Sequence, residues 1–238
     1  MGIDEVIPGV YRIGMGYVSA YLIAQDEITI IDSGLPKRRD TILKAANEAG
    51  RKADDVKHIA LTHHHVDHTG SLAALIAATG AKAYIHPLDA PIVRGEKTAP
   101  GPNRTIVAGR VLGPLMARVT PKLQTVESLQ ETNDGDDVPA AGGMKAIHTP
   151  GHTAGHLAYL WPQNGGVLFA GDAAGSVMGL RPPTGALGGM FTEDVAAAKD
   201  SFRKLAALEF EVACFGHGGP IKGNAHVAFR RAVGKLAK

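Results

Sequence analysis

Thr62-His63-His64-His65-Val66-Asp67-His68-Thr69-Gly70 follows directly on the apolar run His58-Ile59-Ala60-Leu61. His63, His65, Asp67 and His68 stand at i, i+2, i+4 and i+5. A strand ending here turns His63 and His65 to one side, because side chains alternate along a strand. A turn into a helix over Ser71-Leu72-Ala73-Ala74-Leu75-Ile76 brings Asp67 and His68 back toward the same volume. Two adjacent metal half-sites result, with imidazole and carboxylate donors that suit zinc, iron, manganese and their neighbours. A histidine tract can instead be a solvated loop or an expression tag. Tags sit at termini, whereas this run is internal, framed by strand and helix signals, and contains Asp67.

Further donors recur downstream in the same kind of setting. Thr149-Pro150-Gly151-His152-Thr153-Ala154-Gly155-His156 follows the short apolar strand Met144-Lys145-Ala146-Ile147. Val167-Leu168-Phe169-Ala170-Gly171-Asp172 ends a buried-type strand on a lone carboxylate, and Val212-Ala213-Cys214-Phe215-Gly216-His217 ends one on an imidazole. Each candidate lies in a Gly-rich turn at a strand end, where backbone can approach closely.

The chain resembles the metallo-β-lactamase superfamily. Its His-x-His-x-Asp-His signature is His63, His65, Asp67 and His68, and the later positions match His152, Asp172 and His217. The resemblance runs from Gly9-Val10-Tyr11-Arg12-Ile13 to Pro220-Ile221. It implies that His63, His65 and His152 hold one metal and Asp67, His68 and His217 the other. Asp172 would bridge the two, together with a water or hydroxide. It also implies a two-sheet, four-layer αββα sandwich, and it likens Asp32 to the buried aspartate that supports the metal loop.

Composition agrees with one soluble globular domain over 1–238: 45% hydrophobic and 20% charged residues. A net charge of +2 is too small to imply a nucleic-acid partner. The single cysteine, Cys214, excludes a disulfide framework and reads as an inert core thiol. The start Met1-Gly2-Ile3-Asp4-Glu5 lacks an apolar segment, and no stretch is long enough to span a bilayer, so a cytoplasmic protein without a membrane partner is expected. Oligomeric state stays open, a homodimer included.

The organisation is mixed α/β. Strands are expected at Gly9–Gly14, Val18–Ala24, Glu27–Asp32, His58–Thr62 and Ala81–His86, then near 144–148, 156–161, 166–171 and 211–215. Helices are expected at Arg39–Ala49, Ser71–Thr79 closed by Gly80, Thr192–Leu208 with Thr192 and Asp194 as cap, and Ala225–Ala237. The segment 87–122 is the least regular. After the loop Gly95-Glu96-Lys97-Thr98-Ala99-Pro100-Gly101-Pro102, apolar residues recur at Val107, Val111, Leu115 and Val119, with Pro114 expected to kink any helix. Two readings stand side by side: an ordinary helix packed on the core, or a lid roofing the metal site with Leu112 and Met116. A second candidate wall is Ser176-Val177-Met178-Gly179-Leu180-Arg181-Pro182-Pro183, with Met178 and Leu180 as substrate contacts.

Two ions sharing a solvent ligand supply hydroxide at neutral pH, and Asp67 is the candidate to orient it and take its proton. No G-x-S-x-G elbow is present, so hydrolysis without a covalent enzyme intermediate is expected. Family resemblance narrows the substrate. Asp172 stands where dedicated β-lactamases typically carry Cys or Ser. Glyoxalase II enzymes add a C-terminal helical domain, for which the residues after His217 leave no room. Acyl-homoserine lactonases carry a tyrosine shortly after the bridging Asp, replaced here by Ala173-Ala174-Gly175. Flavodiiron reductases need Glu at His65, and RNase Z-like nucleases need an RNA-gripping arm. The expectation is a dinuclear hydrolase of a small ester, thioester, lactone or phosphoester, with zinc before iron or manganese. The alternative is a mononuclear iron oxidoreductase of the persulfide dioxygenase kind. His58, His64, His86 and His148 receive structural readings, His156 a supporting hydrogen bond or a turn role. Lys37-Arg38-Arg39 and the tail Arg230-Arg231, Lys235 and Lys238 read as solvated helix faces.

Overall fold

The runs Val18–Ala24 and Ile28–Ile31 are buried along almost their whole length, so both faces of their sheet must be covered. A computed structural model, describing residues 3–121 and 123–236, shows how. The first sheet has the order β1 (Ile3–Ile7), β2 (Val10–Met15), β3 (Val18–Ala24), β4 (Ile28–Ile31), β5 (Val56–Ala60), β6 (Lys82–Ile85) and β7 (Gln130–Glu131). β1 to β4 pair antiparallel, and β4 to β7 pair parallel. The second sheet holds β8 (Asp137–Val138), β9 (Met144–His148), β10 (Leu157–Trp161), β11 (Val167–Phe169), β12 (Val212–Cys214) and β13 (Ile221–Lys222) in sequential order. Only β11 and β12 pair parallel there.

Helices α1 (Arg39–Glu48), α2 (Val66–Thr69) and α3 (Leu72–Thr79) accompany the first sheet. α4 (Ala90–Val93) and α5 (Val107–Val119) lie in the segment between β6 and β7, and α6 (Ala186–Met190), α7 (Val195–Ala206) and α8 (Ala225–Leu236) in the second half. Three apolar layers separate four layers of structure. Ile42, Ala46, Leu72 and Leu75 close the outer face of the first sheet. Val10, Tyr21 and Ile31 meet Leu157, Tyr159, Trp161 and Phe169 between the sheets. Phe202, Leu205 and Phe229 cover the outer face of the second sheet. This is the expected αββα sandwich. Cys214 is wholly buried in the inter-sheet layer, and its thiol pKa is pushed up by that burial. No helix among the described residues is long and apolar enough to cross a membrane.

Two phenols tie the sheets together where their loops converge. Tyr21 on β3 donates to the Phe215 carbonyl at 3.0 Å and accepts the Phe215 N–H at 3.1 Å. Tyr159 on β10 donates to the Leu61 carbonyl, just past β5, at 2.8 Å. A buried Tyr needs such a partner, and these partners lie on the opposite sheet.

Several expected boundaries move for physical reasons. β5 stops at Ala60 rather than Thr62, because the Thr62 N–H goes to the Asp32 carboxylate instead of a neighbouring strand. α7 starts at Val195: Asp194 accepts the Ala196 and Ala197 N–H groups, while the Thr192 hydroxyl is spent elsewhere. α5 continues through Pro114 instead of breaking there. β1, β7, β8 and β13 carried no readable pattern, being edge strands or two-residue pairings. Lys122, Ala237, Lys238 and the Val119 side chain lie outside what is described. Of the basic runs, Arg39 pairs with Asp40 and Arg230 with Glu209 at the surface.

Tyr159→Phe keeps the ring and removes only the hydroxyl, taking that donor from the buried Leu61 carbonyl. Urea unfolding should show a loss of about 1–3 kcal/mol. An unchanged midpoint would show that this contact between the sheets carries no weight.

Candidate metal centre

The turns that follow β4, β5, β9, β11 and β12 meet in one buried volume. After β5 the chain leaves the ladder but keeps an extended course at His65, so His63 and His65 face the volume and His64 faces away. α2 then returns Asp67 and His68 to it. His63, His65 and His152 bring one donor atom each within 4.8 Å of one another, as do Asp67, His68 and His217, and also His63, His68 and Asp172. Asp172 lies between the sets: Oδ2 is 3.3 Å from His152 Nε2 and 3.1 Å from His217 Nε2, and Oδ1 is 3.5 Å from His68 Nε2. Asp67 Oδ2 stands 3.5 Å from His217 Nε2, and His152 Nε2 stands 3.0 Å from His65 Nδ1.

The far nitrogen of most rings is occupied, which fixes the tautomer. The Thr62 hydroxyl donates to Asp32, so its oxygen is left to accept from His63 Nδ1 at 3.0 Å. His68 Nδ1 donates to Asp32 Oδ2 at 2.8 Å. His217 Nδ1 donates to the Tyr17 carbonyl at 2.9 Å. Thr192 donates its hydroxyl to backbone carbonyls and accepts from His152 Nδ1 at 3.2 Å. Each of these rings therefore turns its Nε2 toward the common volume, and in the neutral form that nitrogen carries the lone pair, the arrangement that orients metal-binding histidines. His156 differs. Its Nε2 accepts the Asp172 N–H at 3.0 Å and its Nδ1 meets Thr149 Oγ1 at 2.8 Å, so it positions the Asp172 backbone and has no lone pair left for an ion.

Burial sets the electrostatics. It drives His63 and His65 well below their ordinary range, helped by the neighbouring imidazoles His68 and His152, and takes His152 down to about 4. Burial opposes charge on His68 and His217 too, but Asp172, Asp32 and Asp67 together push His68 up to about 10, and the Asp172 charge with the hydrogen bonds to Asp172 and the Tyr17 carbonyl pushes His217 up to about 9. Asp172 is buried too, and the His217 and His68 charges hold its pKa well below the carboxylate range. In the metal-free chain His68 and His217 are thus the rings favoured to carry a proton beside Asp172, while His63, His65 and His152 are kept neutral.

Even so, His63 Nε2, His68 Nε2 and Asp172 Oδ1 have no hydrogen-bond partner among the described residues. An orphaned buried polar group costs about 1–3 kcal/mol. Three that converge with further imidazole and carboxylate donors fit a divalent cation. His64 also lacks hydrogen-bond partners for its ring, but it lies behind the loop with Nδ1 3.1 Å from Asp89 Oδ2, out of alignment.

The other expected site residues divide. Asp32, buried and held at φ 59°, receives Thr62 N–H, Thr62 O–H and His68 Nδ1–H. Leu112 and Met178 are largely exposed, Met116 is half-buried, and Leu180 packs partly on the outer apolar layer of the second sheet. His86 and His148 stack on each other at 4.2 Å, away from the cluster, and His58 bridges Tyr84 and Glu27.

Sequence reasoning missed four supporting residues. Asp89 is 1% exposed and accepts from His64 N, Thr153 Oγ1 and Gly155 N, stitching the His63 loop to the His152 loop. Its signal was Asp-Ala-Pro at a helix start. Thr62 and Thr192 had none beyond adjacency to a strand end and a cap. Tyr17, exposed in the β2–β3 turn, lies 5.7 Å from and parallel to the His217 ring.

Comparison with known proteins gives the family. Residues 13–217 match the sequence profile of the family described as the metallo-beta-lactamase superfamily. The chain belongs to that superfamily. It is 31% identical to the probable metallo-hydrolase YflN of Bacillus subtilis (strain 168), over 98% of this chain and 91% of that protein. It is 34% identical to the hydroxyacylglutathione hydrolase of Rhodospirillum rubrum over 76% of this chain, a match spanning 55% of that enzyme. Among solved structures, the subclass B3 metallo-beta-lactamase MEM-A1 from a soil metagenome library aligns with a TM-score of 0.73 at 22% identity, covering 100% of this chain and 94% of that one. A metallo-beta-lactamase family protein of Thermus thermophilus aligns at 0.70 and 25% identity, over 98% and 79%.

Two outcomes are expected. A Cβ at Gly216 would run into Asp172 Oδ1 and His68, so Gly216→Ala should weaken metal binding roughly 10–100-fold with an unchanged far-UV spectrum. Unaltered affinity would show that this close approach does not shape the cluster. The second concerns pH. His152 and His156, pushed down to about 4 and about 3 from 6.5, stabilise the metal-free fold above pH ~6.5, and this is lost as pH falls toward 4. His68 and His217 contribute below pH ~6.5, and this is lost as pH rises through 9 and 10. Urea midpoints of chelator-treated protein should therefore drop on both sides of neutrality. A flat profile between pH 5 and 10, a span of about 5 units, would contradict these shifts.

Proposed function

We propose that the chain, acting as one domain, is a dinuclear metal-dependent hydrolase of a small ester, thioester, lactone or phosphoester. What supports this most is a single feature: two donor triads, His63/His65/His152 and Asp67/His68/His217, share Asp172 between them. Zinc is the first choice for such donors, with iron or manganese fitting the same set. Two divalent ions, when bound, supply hydroxide at neutral pH by lowering water's pKa from ~16 to roughly 7, and polarise the substrate's oxygen.

The residues divide the remaining work. Asp172 is 6% exposed and surrounded by imidazoles, so it serves as the fixed negative charge between the triads. Asp67 is partly exposed at the mouth, which lets it accept a proton from the attacking water and release it to solvent or leaving group. Asp32, Thr62 and Thr192 hold the rings in one tautomer. Leu112 and Met178 have free apolar area, and with Met116 and Leu180 they are proposed to receive the greasy portion of the substrate. A small-molecule substrate and a cytoplasmic setting belong to the same reading.

The relatives weight the substrate classes. Similarity to hydroxyacylglutathione hydrolases, over about half their length, puts thioesters in the first panel. The solved β-lactamases that are under 25% identical speak for the fold alone.

Elemental analysis of the purified protein should find two ions per chain, and chromogenic esters, lactones, thioesters and phosphotriesters should reveal turnover. A single iron with thiol-dependent oxygen uptake would replace this reading with the dioxygenase one. Asp172→Ala should lose metal and activity together without unfolding; full metal occupancy in that variant would remove Asp172 from the ligand set. Asp67→Asn keeps the size and an oxygen donor, so metal should be largely retained while kcat falls roughly 10²–10⁴-fold. A wild-type rate with metal bound would leave Asp67 without its proton-accepting role.

A further inference from the structure

α5 faces the wrong way for an ordinary amphipathic helix. Its large apolar residues point outward: Val107, Val111 and Leu115 are 64%, 70% and 60% exposed, and Leu112 is exposed beside them. Its inward face is made of glycines. A Cβ at Gly109 would strike the Asn103 carbonyl, and one at Gly113 would reach Pro102 at 3.0 Å. The helix therefore lies close against the 102–103 loop on small residues and holds an aliphatic stripe of about 12 Å, Val107 to Leu115, toward solvent.

Along its own segment of sequence the helix carries charge of one sign. From Lys97 to Val126 the sequence carries Lys97, Arg104, Arg110, Arg118 and Lys122 and no Asp or Glu. Arg104 and Arg110 are exposed, and the arginine ion pairs among the described residues involve Arg12, Arg39, Arg94, Arg203 and Arg230 instead. The element is also anchored at the rim of the donor cluster. Asn103 donates its amide N–H to the Thr192 carbonyl at 2.8 Å, and Thr192 holds His152.

We propose that α5 docks on an anionic lipid surface, with Val107, Val111 and Leu115 entering the headgroup–acyl boundary and the cations pairing with lipid phosphates. This is a surface contact and not a span. An aliphatic stripe flanked by Arg and Lys matches what interfacial helices use. A second copy of the chain docked helix to helix is a poorer occupant, because it brings Arg104 and Arg110 against their own counterparts. The placement would bring the mouth of the metal centre toward the lipid, and the inference stands whether or not that centre hydrolyses esters.

The test is flotation of the full-length, metal-loaded protein with phosphatidylcholine vesicles and with vesicles containing phosphatidylglycerol. Binding is expected to the anionic vesicles only, and it should weaken as salt is raised. Val111→Asp/Leu115→Asp and Arg104→Glu/Arg110→Glu should each reduce binding about tenfold or more. Both pairs are surface changes, so turnover of a water-soluble substrate and the melting temperature should stay as in the wild type. Absence of binding to anionic vesicles overturns the proposal. So does retention of binding in both variants, and so does a concentration-dependent dimer that Val111→Asp/Leu115→Asp abolishes in protein that ignores vesicles.

Discussion

The Asp32 carboxylate is the contact on which the site's geometry rests. It sits directly after β4 with a left-handed backbone, is 2% exposed, and collects Thr62 N–H, Thr62 O–H and His68 Nδ1–H. Those bonds end β5, fix the course of the chain into His63, and set the His68 tautomer in one step. An L-residue other than Gly rarely accepts such a backbone, and Asp is among those that tolerate it. The strain is offset by a carboxylate whose neighbours satisfy it well. Removing it would leave buried donors unpaired and free the His68 ring together.

A second constraint is electrostatic. Six imidazoles crowd around the Asp172 carboxylate at the ends of the two sheets, and the fold resolves the crowding by favouring different charges on them. Burial keeps His63, His65, His152 and His156 neutral, and the carboxylates around His68 and His217 favour protons on those two. Binding a cation means exchanging those two protons for metal, so affinity and pH are linked through His68 and His217. Asp89 and His156 work behind this layer. One joins the His63 and His152 loops, and the other holds the Asp172 backbone.

Much of this was legible in the residues. The His-x-His-x-Asp-His run, and single donors closing the apolar strands before His152, Asp172 and His217, mark the cluster because strand ends are where a sandwich gathers its loops. Continuous apolar runs such as Val18–Ala24 mark strands covered on both faces. What escaped depends on distance along the chain. Asp89 matters only because its turn meets residues 153–155, more than sixty positions away. Thr192 reaches His152 across 40 residues. Four-residue spacing at Val107, Val111 and Leu115 announced a helix but not its facing, which Gly109 and Gly113 decide. Two-residue strands such as β7 and β13 owe their existence to neighbours rather than to any local pattern.

Anomalous diffraction at the zinc edge, from crystals of the zinc-loaded protein, bears most directly on the central claim. The account expects two peaks in one cavity, the first among His63 Nε2, His65 Nδ1 and His152 Nε2. The second should lie among Asp67, His68 Nε2 and His217 Nε2, with Asp172 in reach of both. A single peak served by one triad, or a peak that Asp172 does not approach, would contradict it.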